Sequence, residues 1–228
     1  MATVRPPAPR ATAAGAFTVR VRANRRLSAN AFELTLTRPP DFSFLAGQRL
    51  RIECDGAQRD YSIVSSPAEP LLRLCIRRVA GGRLSARLAH ADVDEALTFT
   101  GPHGYFTFKT SARPAVFAAT GTGIAPFCAM AGDGVSGFTL LHGVKTPADL
   151  YYRDLIQPRA SAYVACLSAG RPAEPAHHPG WVTDYIRNCL PPRAYDFYLC
   201  GRQDMIRDAT LLIDERFPES LVYTEVFY

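Results

Sequence analysis

From Phe17 to about Lys109, apolar residues recur at every second position in short runs. FTVRVRA (17–23) and AFELTLT (31–37) alternate cleanly, RLRIEC (49–54) follows the turn at Gly47, and DYSIVSS, LLRLCIRRV and ALTFTG continue the series. Period two sends successive side chains to opposite faces of a sheet, and the Pro/Gly clusters between the runs mark turns. This stretch therefore predicts a six-stranded antiparallel β-barrel. One segment breaks the period: LSARLAHA, just after Gly81-Gly82, predicts a short helix.

Beyond Arg113-Pro114 the texture changes. Continuous apolar runs (AVFAAT, GFTLLHG, SAYVACLS, YDFYLCG) alternate with helix-like stretches (IAPFCAMA, ADLYYRDLI, VTDYIRNCL, MIRDATLLIDERF). Uninterrupted apolar strands separated by helices belong to a parallel sheet covered on both faces. The prediction is a five-stranded parallel doubly wound α/β domain. The chain thus divides into a flexible tail (1–16), a barrel domain (17–112) and an α/β domain (113–228). The first 16 residues, MATVRPPAPRATAAGA, hold no acidic residue and no apolar core of a secretion signal.

Composition narrows the picture further. A chain of 228 residues, 47% hydrophobic, buries roughly 70% of its unfolded surface without needing staples. No run approaches the ~20 apolar residues of a membrane helix, so a cytoplasmic protein is expected. The six cysteines are scattered, the closest pair being Cys189 and Cys200, with no CxxC or ferredoxin-type spacing. Cys75, Cys166 and Cys200 sit in apolar strands and read as core residues. His177 and His178 fall in a Pro-rich stretch and read as a solvated loop, so no metal site is expected. The net charge of +5 suits an acidic partner. Without a basic run interleaved with aromatics, nucleic acid is not expected.

Five local patterns carry chemistry. In Arg59-Asp60-Tyr61-Ser62, alternation places Arg59 and Tyr61 on one face and Ser62 on the other, so a cation and an aromatic ring can hold a phosphate and a flat ring of one ligand. Gly81-Gly82-Arg83-Leu84-Ser85 opens a helix whose unpaired N–H groups suit a pyrophosphate. Gly121-Thr122-Gly123 follows a strand and opens a helix with Pro126 in its first turn, letting a second phosphate-bearing ligand approach the backbone. This is not GxGxxG, and HGVK stands where a Rossmann dehydrogenase has its acidic residue. Cys200-Gly201-Arg202-Gln203-Asp204-Met205 repeats the strand–glycine–helix theme and would line the same crevice. The apolar ending Thr224-Glu225-Val226-Phe227-Tyr228 reads as packed.

In order and spacing these patterns resemble the ferredoxin–NAD(P)+ reductase superfamily from about residue 17 to 228. RDYSIVSSP resembles its flavin-strand signature, GGRLSARL its pyrophosphate helix, GPHGYF its barrel-closing loop, and GTGIAPF, HGVKTPADLYY and CGRQDMIRD its nucleotide-domain motifs. The ending TEVFY resembles its terminal Glu-x-aromatic. The resemblance implies FAD bound through Arg59, Tyr61, Ser62, Ile63, Gly82, Arg83, Leu84, Ser85 and Thr122, with Phe227 or Tyr228 covering the ring. It implies NADH or NADPH bound through Gly121, Thr122, Gly123, Pro126, Lys145, Arg171, Cys200, Gly201 and Met205. Ser62, Cys200 and Glu225 would stand where hydride passes to flavin N5. One residue more than Glu-Val-Tyr leaves open which aromatic stacks.

The activity so implied moves electrons between NAD(P)H and a separate one-electron carrier: an acidic ferredoxin, a flavodoxin or an oxygenase component. The reductase is expected to be a monomer. A reductase of free flavin on the same fold is disfavoured by the pyrophosphate helix. A non-catalytic flavin-binding subunit is disfavoured because members of that kind carry cluster-binding cysteines. For the nicotinamide, Lys145 and Arg171 offer cations for a 2′-phosphate. The Ser-Arg pair of NADPH-specific members reads Ser168-Ala169 here, which leans toward NADH.

Overall fold

A computed structural model describes residues 15–54, 56–169 and 177–227; Arg171 and Tyr228 lie outside the described residues. The first sheet holds β1 (Phe17–Arg26), β2 (Ala31–Thr37), β3 (Arg49–Cys54), β4 (Ala57–Ser62), β5 (Leu71–Arg77) and β6 (Ala96–His103). They pair antiparallel in the order β4-β3-β6-β1-β2-β5. An antiparallel bridge from Ile63 to Leu74 joins the end of β4 to β5 and closes the barrel. The period-two residues do what their spacing requires: Val19, Val21, Leu34, Leu36, Leu50 and Ile52 fill the interior. Helix α1 (Arg83–Leu88) lays Leu84 and Leu88 onto that core.

The second sheet holds β7 (Ala115–Thr120), β8 (Thr139–Val144), β9 (Ala162–Leu167), β10 (His177–Pro179), β11 (Asp196–Arg202) and β12 (Leu221–Phe227). All its pairs are parallel, in the order β10-β9-β8-β7-β11-β12. Between them run α2 (Ala125–Gly132), α3 (Arg153–Ile156), α4 (Val182–Asn188) and α5 (Gln203–Arg216). The apolar runs are buried on both faces. Phe117 stacks between Phe127 and Phe138, with centroids 4.6 and 4.3 Å away, on one side. Val116, Phe197 and Ile213 pack on the other. The Phe117 cluster also takes in Ala46, Val64, Cys75 and Phe106 from the barrel half, so the two halves share one core along their seam.

Three expectations change. The parallel sheet has six strands rather than five among the described residues, because His177–Pro179 pairs with Ala165–Leu167 as β10. His177 is buried there, not in a solvated loop. Three residues of His-His-Pro carry no readable period, so only pairing reveals the strand. The stretch ADLYYRDLI is split into a 3-10 turn at Pro147–Asp149 and an α-helix at Arg153–Ile156, with Tyr152 at a left-handed φ of +62° between them. Tyr152 is thereby turned into the shared core at the seam.

Candidate active site at the domain seam

Strand order runs outward from β7 through β8 and from β11 through β12, so the sheet's switch point lies between β7 and β11, where an open α/β sheet forms its ligand crevice. The two glycine motifs meet there. A Cβ on Gly123 would lie 2.3 Å from the Cys200 carbonyl oxygen, and one on Gly201, at φ +132°, would lie 2.2 Å from Thr120 Oγ1. Thr120 Oγ1 accepts the Arg202 N–H at 2.9 Å, tying the loops together. Thr122 is buried in the turn that Gly121 opens, and Pro126 is buried in the first turn of α2.

His142, on β8, supports this turn from below. It is fully buried, with Nε2 3.3 Å from the Gly121 carbonyl oxygen and Nδ1 3.2 Å from the Tyr163 hydroxyl. A carbonyl only accepts, so Nε2 carries the proton and Nδ1 accepts from Tyr163. Burial holds the imidazole down at about 4 against its ordinary 6.5. The unfolded chain therefore takes up a proton below pH 6.5 that the folded chain refuses until about 4, and stability falls as pH drops through this window. We expect a loss of about 3 kcal/mol on going from neutral pH to about 4, at roughly 1.4 kcal/mol per pH unit. In His142→Gln that part of the loss is expected to vanish from urea titrations run across the window; an unchanged slope would contradict it.

On the barrel side, β4 presents its two faces as the alternation predicts. Arg59 is exposed, its guanidinium on the Gln58 carbonyl at 2.7 Å, while Tyr61 is half-buried and pushed up to about 12 by burial. On the opposite face Ser62 is buried and its Oγ donates to Glu225 Oε2 at 2.9 Å. Glu225 lies beside Cys200 in the β11–β12 register, so this bond links the barrel to the strand that carries the second glycine motif. Burial lifts the Glu225 carboxyl above its ordinary range, and the hydrogen bonds from Arg49 and Ser62 pull the other way. Arg49 donates to Glu225 Oε1 at 2.6 Å and to Asp60 Oδ2 at 2.9 Å. Arg51 also holds Asp60, at 2.6 Å. Burial raises the Asp60 carboxyl, and the two arginines together outweigh it, leaving it below its ordinary range.

The remaining predicted residues take varied positions. Gly81 needs its φ of +74°, and Gly82 opens α1, where a Cβ would stand 2.9 Å from Ser85 Oγ. Ser85 Oγ accepts the Val79 N–H at 3.1 Å, bracing the loop. Leu84 and Ile63 point into the barrel core, so only their backbones face outward. Arg83 and Lys145 are exposed, and Met205 is half-buried against the outer cluster. Phe227 packs on the shared core. The Cys200 thiol is wholly buried, and burial raises it well above its ordinary value, so it stays protonated at neutral pH. Sequence reasoning missed Arg49 and His142. Arg49 stands in an alternating strand where a paired and a solvated arginine look alike.

The barrel, the switch-point crevice and the polar pair across the seam define a two-domain dinucleotide-using oxidoreductase fold. Residues 18–108 match the family profile described as oxidoreductase FAD-binding domain, and residues 117–210 that described as oxidoreductase NAD-binding domain. The ferredoxin–NADP reductase B of Sorangium cellulosum is 34% identical over 215 residues, covering 83% of this chain and 88% of its own length. The chain belongs to the ferredoxin–NAD(P)+ reductase superfamily. The toluate 1,2-dioxygenase electron transfer component of Pseudomonas putida is 32% identical over 178 residues, 72% of this chain. The chain spans 52% of that protein's length, and 60% of the length of the propane 2-monooxygenase reductase component of Mycolicibacterium goodii. A ferredoxin NADP+ reductase from Neisseria gonorrhoeae, solved with bound FAD and NADP, shares the fold at 20% identity. Its TM-score is 0.80, over 93% of this chain and 99% of that one. Among the described residues no helix is long and apolar enough to cross a membrane.

Proposed function

We propose that the chain is an FAD-dependent reductase that takes electrons from NADH or NADPH and passes them singly to a ferredoxin, flavodoxin or oxygenase component. The observation that carries this reading is the Ser62–Glu225 bond: it joins the barrel to β12 beside Cys200, whose carbonyl packs against Gly123 where the two glycine turns meet. The residues present suit FAD. Arg59 offers an exposed cation beside the half-buried Tyr61 ring, and Gly81, with nothing within 4 Å of where its Cβ would stand, leaves the loop before α1 open to a pyrophosphate. Charge-assisted phosphate bonds of this kind are worth ~1.5–3 kcal/mol each. Aromatic stacking adds roughly 0.5–1.5 kcal/mol.

FAD, when bound, supplies the two-electron to one-electron conversion. The chain's own residues do the positioning. Gly123 and Gly201 let the turns after β7 and β11 pack against each other, so that their backbones would present one surface to the nicotinamide nucleotide, while Ser62 would hold a hydroxyl, oriented by Glu225, toward the ring. By the family resemblance, Phe227 or Tyr228 would cover the flavin ring when it is bound. Lys145 and Arg171 stand as candidates for the nucleotide's phosphate. Ala169 in place of an arginine favours NADH. The protein works as a monomer, with its functional division between residues 112 and 113.

Purified protein is expected to be yellow, with FAD near one per chain and bleached anaerobically by NADH. Colourless protein that takes up no FAD would defeat the proposal, and loosely held, exchangeable flavin would favour the free-flavin reductase. The chain's charge of +5 suits an acidic carrier. Raising salt from ~0.05 to ~0.5 M is expected to slow reduction of such a carrier about tenfold or more while leaving ferricyanide reduction nearly unchanged. Equal salt sensitivity for the two acceptors would remove the electrostatic docking.

A further inference from the structure

The Glu225 carboxylate is gripped from the barrel on both oxygens. Arg49 donates to one at 2.6 Å and Ser62 to the other at 2.9 Å. Arg49 is itself aimed: Asp60 takes its Nε at 2.9 Å, and Arg51 fixes Asp60 at 2.6 Å. Gly104, at φ +88°, lays the loop after β6 over the guanidinium so closely that a Cβ there would stand 2.8 Å from Arg49 Nη1. Gln48 Nε2 holds that loop by its Gly104 carbonyl at 3.0 Å. Arg49 is therefore confined between a carboxylate of its own domain and one of the other.

A hydroxyl has one hydrogen and two lone pairs. While Glu225 is ionised it can only accept, so the Ser62 hydrogen is committed to it and the Ser62 oxygen can only accept from a ligand. Were Glu225 neutral, it could donate to Ser62 and release the hydroxyl hydrogen to point the other way. We propose that Arg49 is a positioning residue that crosses the seam to keep Glu225 ionised, and so sets Ser62 as an acceptor toward whatever occupies the cleft. In the flavin reading, on which this rests, such polarity matches a ring N–H rather than a bare ring nitrogen.

The other charged and titratable neighbours of Glu225 do not replace Arg49. Asp60 on β4 repels the carboxylate, and the buried Cys200 thiol on β11 stays neutral. His103, opposite Arg49 in the β3–β6 register, has its Nε2 3.0 Å from Thr100 Oγ1. Among these described neighbours, Arg49 supplies the cation that faces Glu225 directly.

The test compares Arg49→Leu, Arg49→Gln and Arg49→Lys in the full chain. In flavin-free protein carrying 13C-labelled glutamate, the Glu225 carboxyl signal, assigned through Glu225→Gln, is titrated by NMR. In flavin-loaded protein, anaerobic flavin reduction by NADH is timed across pH. Removing the cation is expected to raise the Glu225 titration by about one pH unit or more, and to move the acid limb of the rate profile by the same amount. Arg49→Lys is expected to restore most of both. A Glu225 titration that stays put in a folded Arg49→Leu protein would overturn the proposal; if that variant fails to fold, an unmoved titration in Arg49→Gln overturns it equally. A wild type that binds no flavin would defeat the flavin reading alone, because the carboxyl titration needs no flavin.

Discussion

Gly123→Ala is expected to cut reduction of the bound flavin by NADH or NADPH by about a hundredfold or more, because small misplacements of reacting groups carry penalties of that size. The added Cβ would stand 2.3 Å from the Cys200 carbonyl oxygen, 2.6 Å from its carbonyl carbon and 2.9 Å from Gly201 Cα. All three are backbone atoms, so no rotamer change relieves the contact. Cys200 is paired on one side with Ala119 of β7 and on the other with Glu225 of β12, so the strand cannot retreat without disturbing both ladders. The turn must move instead, and with it the backbone that would meet the nucleotide. Forced overpacking of this kind costs typically about 1–3 kcal/mol, occasionally more. FAD content, which depends on barrel residues, is expected to survive. Stopped-flow reduction alongside thermal unfolding measures both effects; a near-wild-type rate would mean that nucleotide does not enter by this turn.

Ser62→Ala is the second large effect. Ser62 is 2% exposed, and among the described residues its hydroxyl donates to a carboxylate that is itself buried. Losing it removes a charge-assisted bond worth ~1.5–3 kcal/mol and leaves Glu225 Oε2 without that donor. Arg49 still holds Oε1, so β12 stays docked and the fold is retained. The rate of flavin reduction is expected to fall about 10²–10³-fold, the range seen when one preorganised polar group is deleted from a reaction centre. FAD affinity is expected to change little, since Arg59, Tyr61 and the α1 loop are untouched. If FAD affinity fell as far as the rate, the loss would be one of binding, and the proposed place of Ser62 at the reacting face would be lost.

Much of this architecture is local and therefore legible in one dimension. The alternation of FTVRVRA and AFELTLT put Val19, Val21, Leu34 and Leu36 inside the barrel, where they are found. The same alternation separated Tyr61 from Ser62, and the structure places Ser62 on the buried, carboxylate-facing side. The glycines at 121–123 and 201 were marked by their place after apolar strands, and Gly123 and Gly201 prove to be positions where a side chain would strike backbone or the Thr120 hydroxyl. The three-residue β10 was not legible, because its pairing with β9 leaves no period in so short a run. Nor was the break at Tyr152, since a left-handed φ in a tyrosine has no compositional mark.

By itself, then, the amino-acid order determined the two kinds of sheet, their succession and the spacing of the glycine turns, because each rests on periodicity or on the conformational freedom of single residues. Only the tertiary structure decided which charges are partnered. Arg49 and Glu225 are 176 positions apart, and His142 reaches Gly121 from a neighbouring strand. An arginine on an alternating strand has the same sequence neighbours whether it faces water or a buried carboxylate. Closure of the seam excludes water from Glu225 and brings Arg49 to it, and these two events give the pair its chemistry.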